Sequence, residues 1–521
     1  MKPFPFDIHA ARGLTLREKI AQLICVRIGS NWPPVQTVEQ EEERVGKLLD
    51  ECCVGGLALF NGGPQTRQTL DRLQAQARVP LLIASDIERG VGQQVNGYSL
   101  FPHAMAFGQL PGEEAKFAVE EFASTVAFEA AETGIHATFA PVADVSTNPN
   151  SPIISTRAFC EDPQRAAELV SAFINQVQAS GLLATAKHFP GHGDTDLDSH
   201  STLPTVSKTR AQLEACELVP FRAAIAAGCA LIMTAHISYP ALNATGTPAT
   251  FSPLILRQLL REELGFAGVI CSDSLLMAGA RDQYKSEGAM AHAALLAGVD
   301  WLLDVSDPVG VADHLCQCVD QGTLEVCRIE QSLERLWKLK ERITRATCHK
   351  AVASDALSVA RKAIRLASVR GPSILPLAKD KPVTAILLKP FETPLDPPEQ
   401  PLGKALRNRF SDASYIQLGP TADASAYERA GNAARAASQL VIAMVVRPAA
   451  WQVFGLLPAQ HRFVESLLQE RGDVVLVSLG VPSILNDFPQ AAAAICTYSD
   501  VPASQAALVD FLLSGQMGTA T

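Results

Sequence analysis

Short runs of apolar, largely β-branched residues punctuate the N-terminal part of the chain. They are Gln22–Ile28, Gly55–Phe60, Pro80–Asp86, Ala137–Val145, Leu183–Phe189, Ala230–Ile237, Gly268–Asp273 and Gly298–Asp304. Between them apolar positions recur about every 3.6 residues, as in Glu113–Thr133, Asp162–Ser180 and Gln212–Ala227, which is the periodicity of a helix. The runs are apolar at nearly every position rather than at alternate ones. Strands of that kind are covered on both faces, the condition of a parallel sheet. Eight such strands alternating with helices predict an α/β fold, a TIM-like (β/α)8 barrel.

The pattern changes after the eighth run. Residues 325–368 read as helix, rich in Leu, Glu, Lys, Arg and Ala. Gly371-Pro372 and the stretch Pro376–Pro382 then break the periodicity. Strand-then-helix units resume with Val383–Leu388, Ser414–Leu418, Leu440–Val446, Val474–Leu479 and Ala494–Tyr498. The expected organisation is a catalytic barrel over 1–345, a helical linker over 346–374 and a smaller α/β sandwich over 375–521.

Composition narrows the function classes. Of 521 residues, 47% are hydrophobic and 19% charged, which suits packed globular domains and excludes a disordered chain. The net charge is −10, without a long block of either sign, so a nucleic-acid or anionic-membrane surface is not expected. No apolar run approaches the roughly 20 residues of a membrane span. The opening MKPFPFDIHAARGLTLREKI lacks the apolar stretch of a signal peptide. Twelve cysteines, scattered but for Cys52-Cys53 and Cys316-x-Cys318, do not form a disulfide framework or a zinc ribbon. They read as small buried apolar residues in a cytoplasmic protein.

In such a barrel the chemistry sits at the C-terminal ends of the strands. Strand three ends at Asp86, strand five at Lys187-His188, strand six at His236 and strand seven at Asp273; Arg157 follows strand four. Asp273 stops an apolar strand and could act as nucleophile or base, or simply cap the following helix. After strand five, the loop 189–200 holds Pro190, Gly191 and Gly193 and presents Asp194, Asp196, Asp198 and His200. Asp198 and His200 are two apart and could share one side of an extended segment, where the carboxylate would orient the imidazole. The alternative is a solvated acidic loop. Length and glycine content predict that this loop is mobile without ligand. Lys187 and His188 should face opposite sides of their strand, one reaching a substrate hydroxyl and the other supporting the loop. Asp86 and Arg157 suit a polyhydroxylated ligand. A metal site built on His188, His192, His236 and Asp273 is not expected. Strand one carries no His-x-His pair, and Pro190-Gly191 breaks the helical spacing between His188 and His192. No phosphate-binding glycine loop is present, and no cofactor is expected.

Lys187-His-Phe-Pro-Gly-His-Gly-Asp-Thr-Asp-Leu-Asp-Ser-His200 resembles the hallmark of the glycoside hydrolase family 3 β-N-acetylhexosaminidases, the bacterial peptidoglycan-recycling branch. Phe139–Asp144, Arg157–Pro163, Met233–His236, Pro248–Ser252, Gly265–Ile270 and Ser272–Met277 occur in the family's order, so the likeness covers roughly 14–345. The segment after 375 resembles the second domain of two-domain members. The resemblance implies that Asp273 is the nucleophile of a retaining mechanism, that His200 is the general acid/base and that Asp198 orients it. It implies that Asp86, Arg157, Lys187 and His188, with His236 at the end of strand six, bind the sugar. The segment after Asp86, Ile-Glu-Arg-Gly-Val-Gly, departs from the Gln-Glu-Gly-Gly of many members. The expected activity is exo-hydrolysis of terminal β-linked N-acetylhexosamine from muropeptide or chitooligosaccharide fragments, through a covalent glycosyl-Asp intermediate. A β-N-acetylglucosaminide phosphorylase and a β-glucosidase are the alternatives within the family. A Schiff-base aldolase on Lys187 and a non-catalytic sugar-binding protein stand further off.

Overall fold

A computed structural model of the chain describes residues 13–345, 355–370, 374–394, 396–397 and 399–516. By its internal contacts the chain divides into two units. One comprises Met1–Ser99, Val119–Thr147 and Glu161–Ser354; the other comprises Leu100–Ala118, Asn148–Cys160 and Asp355–Thr521.

The first unit is built on seven parallel strands in chain order: β1 Cys25–Ile28, β2 Gly56–Leu59, β3 Leu82–Ser85, β4 Ala137–Thr138, β5 Leu183–Phe189, β6 Leu231–Thr234 and β7 Val269–Cys271. The eighth apolar run closes the ring through single bridges, Cys271 with Trp301 on one side and Ile24 with Leu302 on the other. Main-chain bonds seal both seams: Ser272 N donates to Trp301 O at 3.0 Å, and Cys25 N to Leu302 O at 2.9 Å. Trp301 is fully buried, 6.4 Å from the Phe139 ring, and helps fill the interior. The fourth run is far shorter as a strand than the sequence suggested, because Pro141 has no N–H to give the ladder. The chain still runs beside β5, with Thr185 N donating to Ala140 O and Ala143 N to Lys187 O.

The surrounding helices follow local rules. Asp162 caps Pro163–Ala179 by accepting from Arg165 N, with Pro163 in the first turn. That helix buries Leu169, Val170, Phe173, Ile174 and Val177. The helix expected over Gln212–Ala227 is two pieces, Arg210–Ala215 and Leu218–Ala226.

At the N-terminal end of the barrel the helix Val326–Arg345 buries Lys340, only 3% exposed. Its Nζ donates to Gln22 Oε1 at 2.7 Å and lies 5.5 Å from the Trp337 ring centre. Burial pushes this ammonium down from 10.5 to about 7. A base whose folded pKa is depressed costs stability once it is protonated in the fold. The cost is full below about pH 7 and vanishes above the unfolded value. Lys340→Met is therefore expected to gain stability over the wild type at pH 7, by on the order of 3 kcal/mol, with the gap closing toward pH 10. Urea unfolding of both proteins across that range checks it; a pH-independent gap would refute the buried-charge account.

The second unit holds a six-stranded sheet in the order β10-β9-β11-β12-β13-β8, here β8 Arg365–Val369, β9 Val383–Leu388, β10 Ala413–Leu418, β11 Gln439–Met444, β12 Val474–Ser478 and β13 Ala493–Cys496. Five strands are parallel, and β8 pairs antiparallel with β13. Val383, Ala385 and Leu387 turn one way along β9, into a core with Val441, Ala443, Val475 and Val477 and with Leu402, Leu406, Leu508 and Leu512 of two helices. Residues 365–368, expected as helix, are this edge strand. Of the expected linker, residues 346–354 and 371–373 lie outside the described residues. Among the described residues no helix is long and apolar enough to cross a membrane. Of the eleven cysteines described, six are buried.

Candidate active site

The strand ends of the first unit gather charged side chains at one mouth. Lys187, 2% exposed on β5, reaches Asp86 Oδ1 at 2.6 Å and Glu88 Oε1 at 2.6 Å, both just after β3. His188 turns to Asp144, in the segment after β4, with Nδ1 2.7 Å from Oδ2. The register between β5 and β6 slips between Ala186 and Phe189, so strict alternation fails here, and both side chains find their carboxylates at the mouth.

Asp144 is fully buried and also accepts from the backbone N–H groups of His188, at 3.1 Å, and His192, at 2.6 Å. Burial alone would raise its carboxyl. The neighbouring His188, its hydrogen bond and His192 outweigh that and hold it below its ordinary value. Nothing in the strand-end logic singles out Asp144 or Glu88. A buried Asp closing the Phe139–Asp144 motif was the available signal.

Asp273 follows β7 and is half-buried. Its Oδ1 accepts from Ser274 N at 2.7 Å. Burial would raise this carboxyl too, but the nearby His188, His236 and His200 and the Ser274 N–H bring it below its ordinary value. It is therefore an anion at neutral pH. Ser274 Oγ donates to Asp304 Oδ2 at 2.7 Å, and Asp304, at the end of the eighth run, also accepts from Arg27 Nε of β1 at 2.9 Å.

The loop after β5 carries the Asp–His pair. Asp198 Oδ1 accepts from His200 N at 2.9 Å and sits 2.7 Å from His200 Nδ1. An imidazole held so at Nδ1 exchanges protons with a ligand through Nε2. The expectation of a mobile loop meets a densely tied one. His192 bridges Thr195 Oγ1 and Ser199 Oγ, each at 2.9 Å, and Tyr239 donates to Gly191 O at 2.6 Å. Ala278 N, beyond Asp273, donates to His200 O at 3.2 Å. Gly193 is required by contact rather than by freedom: a Cβ there would lie 1.6 Å from Val145 O.

His236 and Arg157, both expected at the sugar, each bond to other groups of the protein. His236 is fully buried, and both ring nitrogens are engaged within the protein, Nε2 with Ser274 O at 3.0 Å and Nδ1 with Thr250 Oγ1 at 2.8 Å. A carbonyl only accepts, so Nε2 carries the proton. Burial lowers this imidazole's pKa, and the ring braces the turn that holds Asp273. Arg157 belongs to the second unit, on the turn Ser155–Arg157, where its Nη1 donates to Ile153 O at 2.8 Å. Among the described residues no group of three or more His, Cys, Asp or Glu side chains is arranged to hold a metal ion.

A parallel β/α ring whose mouth combines an ionised Asp, an Asp–His pair and a Lys between two carboxylates is equipped for glycoside hydrolysis. Residues 15–339 match the family described as glycosyl hydrolase family 3 N terminal domain, and the chain belongs to that family of glycoside hydrolases. It is 32% identical over 383 residues to the β-hexosaminidase A of Pseudoalteromonas piscicida, covering 66% of this chain and 64% of that one. The chain thus spans a little under two thirds of that relative's length. To the β-hexosaminidase of Nitrosomonas eutropha it is 34% identical over 327 residues, covering 60% of this chain and 92% of that protein. Among solved structures it is similar to a glycoside hydrolase family 3 β-N-acetylglucosaminidase from Paenibacillus sp. str. FPU-7. The TM-score is 0.85 and the identity 29%, covering 97% of this chain and 98% of that one.

Proposed function

We propose that the chain is a retaining exo-β-N-acetylglucosaminidase that removes terminal β-linked N-acetylhexosamine from small oligosaccharides of the chitooligosaccharide or muropeptide type. The observation that carries the reading is the 2.7 Å Asp198–His200 pair on the loop tied to the segment after Asp273. The names of the relatives support the N-acetylhexosamine part.

In this reading the Asp273 carboxylate attacks the anomeric carbon as the glycosidic C–O bond breaks. His200 Nε2 gives its proton to the departing oxygen, and Asp198 steadies the ring. In the second step His200 takes a proton from water, whose oxygen attacks the anomeric carbon and releases Asp273. Two displacements leave the configuration retained. Lys187, Asp86 and Glu88 offer a donor and acceptors to ring hydroxyls, and His188 is held for the sugar by Asp144. A histidine acid/base repels phosphate less than a carboxylate would, so phosphorolysis is the second reading. Twelve cysteines without a disulfide framework suit a reducing compartment, which supports a cytoplasmic reaction.

The test is hydrolysis of aryl β-N-acetylglucosaminide beside aryl β-glucoside, followed by NMR, with and without phosphate. Preferential cleavage of the first with β-N-acetylglucosamine formed first is expected. An α product, or preference for the glucoside, would overturn the reading; a sugar 1-phosphate formed only with phosphate would replace hydrolysis by phosphorolysis.

A further inference from the structure

We propose that Asp194 and Lys208 form a latch across the neck of the catalytic loop and are positioning residues for the general acid His200. The inference rests on the reading of Asp198 and His200 given above. The chain leaves the barrel after Phe189 and returns beside β6, where Val206 N donates to Ser238 O at 2.9 Å and Ser238 N to Pro204 O at 3.0 Å. Asp194 stands near the exit and Lys208 just past the return. Lys208 Nζ lies 3.5 Å from Asp194 Oδ1, so residues 195–207, with Asp198 and His200 among them, form a loop closed at its base. Thr147, after β4, locks the same point: Lys208 Nζ donates to its Oγ1 at 3.2 Å, and that hydroxyl donates to Asp194 Oδ1 at 3.3 Å.

Lys208 also pairs with Glu217, whose side chain is 0% exposed, and the two pairings differ in kind. Glu217 needs Lys208 as the counter-charge to a buried carboxylate, so that half of the cluster serves folding. The Asp194 carboxylate is 32% exposed and could face water without Lys208. A partly exposed pair of this sort, with water able to replace the partner, adds little stability. What it does add is geometry, since a displacement of about 1 Å at a reacting group can cost as much as about 100-fold in rate.

Asp194→Asn therefore decides the matter, because it removes the charge that draws Lys208 across the neck while Lys208 still neutralises Glu217. Lys208→Met would strand Glu217 and unfold the chain for unrelated reasons. On a β-N-acetylglucosaminide with a poor leaving group, Asp194→Asn is expected to lower kcat about 10-fold, and on the dinitrophenyl glycoside by less than about 2-fold. Its melting temperature should move by no more than about 2 °C, and Lys208→Arg, which keeps charge and reach, should retain the wild-type leaving-group dependence. Hydrogen exchange should quicken over 195–207 in Asp194→Asn. Equal losses on both substrates, no loss on either, or unchanged exchange would each overturn the latch. A wild type inactive on every N-acetylhexosaminide would instead sink the proposed function, and exchange alone would then decide the latch.

Discussion

Asp273→Gly is expected to lower kcat on aryl β-N-acetylglucosaminides by at least about 10⁴-fold while leaving the fold intact. The size follows from the role proposed for Asp273. Among the described residues no other carboxylate is held beside Ser274 N with three histidines around it, so none is expected to substitute as nucleophile. Removing the side chain leaves room for a small anion. Added azide should therefore restore turnover, and because it attacks from the face Asp273 occupied, the product should be the α-glycosyl azide. More than about 1% residual activity, or a β-azide, would show that Asp273 is not the nucleophile. The histidines also fix a pH consequence. They hold the carboxyl below its ordinary value, and the group acts as its anion, so the acid limb due to Asp273 should lie below the usual carboxylate range.

The second large effect is selective rather than uniform. His200→Ala should lose about 10²–10⁴-fold on substrates whose leaving group needs a proton, and far less in the glycosylation step of the dinitrophenyl glycoside, which needs none. Deglycosylation then becomes slow for want of a base, and azide should relieve it by attacking the glycosyl-Asp273 intermediate. The product here should be the β-glycosyl azide, the opposite anomer to that from Asp273→Gly. A uniform loss across leaving groups would assign His200 to binding. Asp198→Asn should follow the same selectivity with a smaller amplitude, since the ring remains but its orientation and charge do not.

The strands were legible because burial on both faces leaves a one-dimensional trace. Leu183–Phe189 and Val383–Leu388 have the bounds their apolar runs suggested. The edge strand Arg365–Val369 was not legible: four of its five residues are exposed, and only its partner β13 makes it a strand. The site divides in the same way. Asp86, Lys187, His188 and Asp273 sit where runs of apolar residues stop, and that signal is local. Asp144, Glu88 and Asp304 owe their importance to partners far along the chain, His188, Lys187 and Ser274, which no spacing rule connects. His236 also ends its strand, and its ring partners, Thr250 and the Ser274 carbonyl, lie far enough along the chain that no spacing rule connects them. The glycines of the catalytic loop were read as slack. Gly193 marks instead a place where two main chains touch.

The link from Ser274 through Asp304 to Arg27 has a consequence for biosynthesis. The turn presenting the Asp273 carboxylate leans on the last residue of the eighth run, and that residue is held by the first strand. A nascent chain that has emerged only as far as Asp273 has neither support in place. On the role proposed for Asp273, competence for chemistry should therefore arrive only when the two ends of the β/α ring meet, and a chain stalled on the ribosome short of Asp304 is expected to be inert.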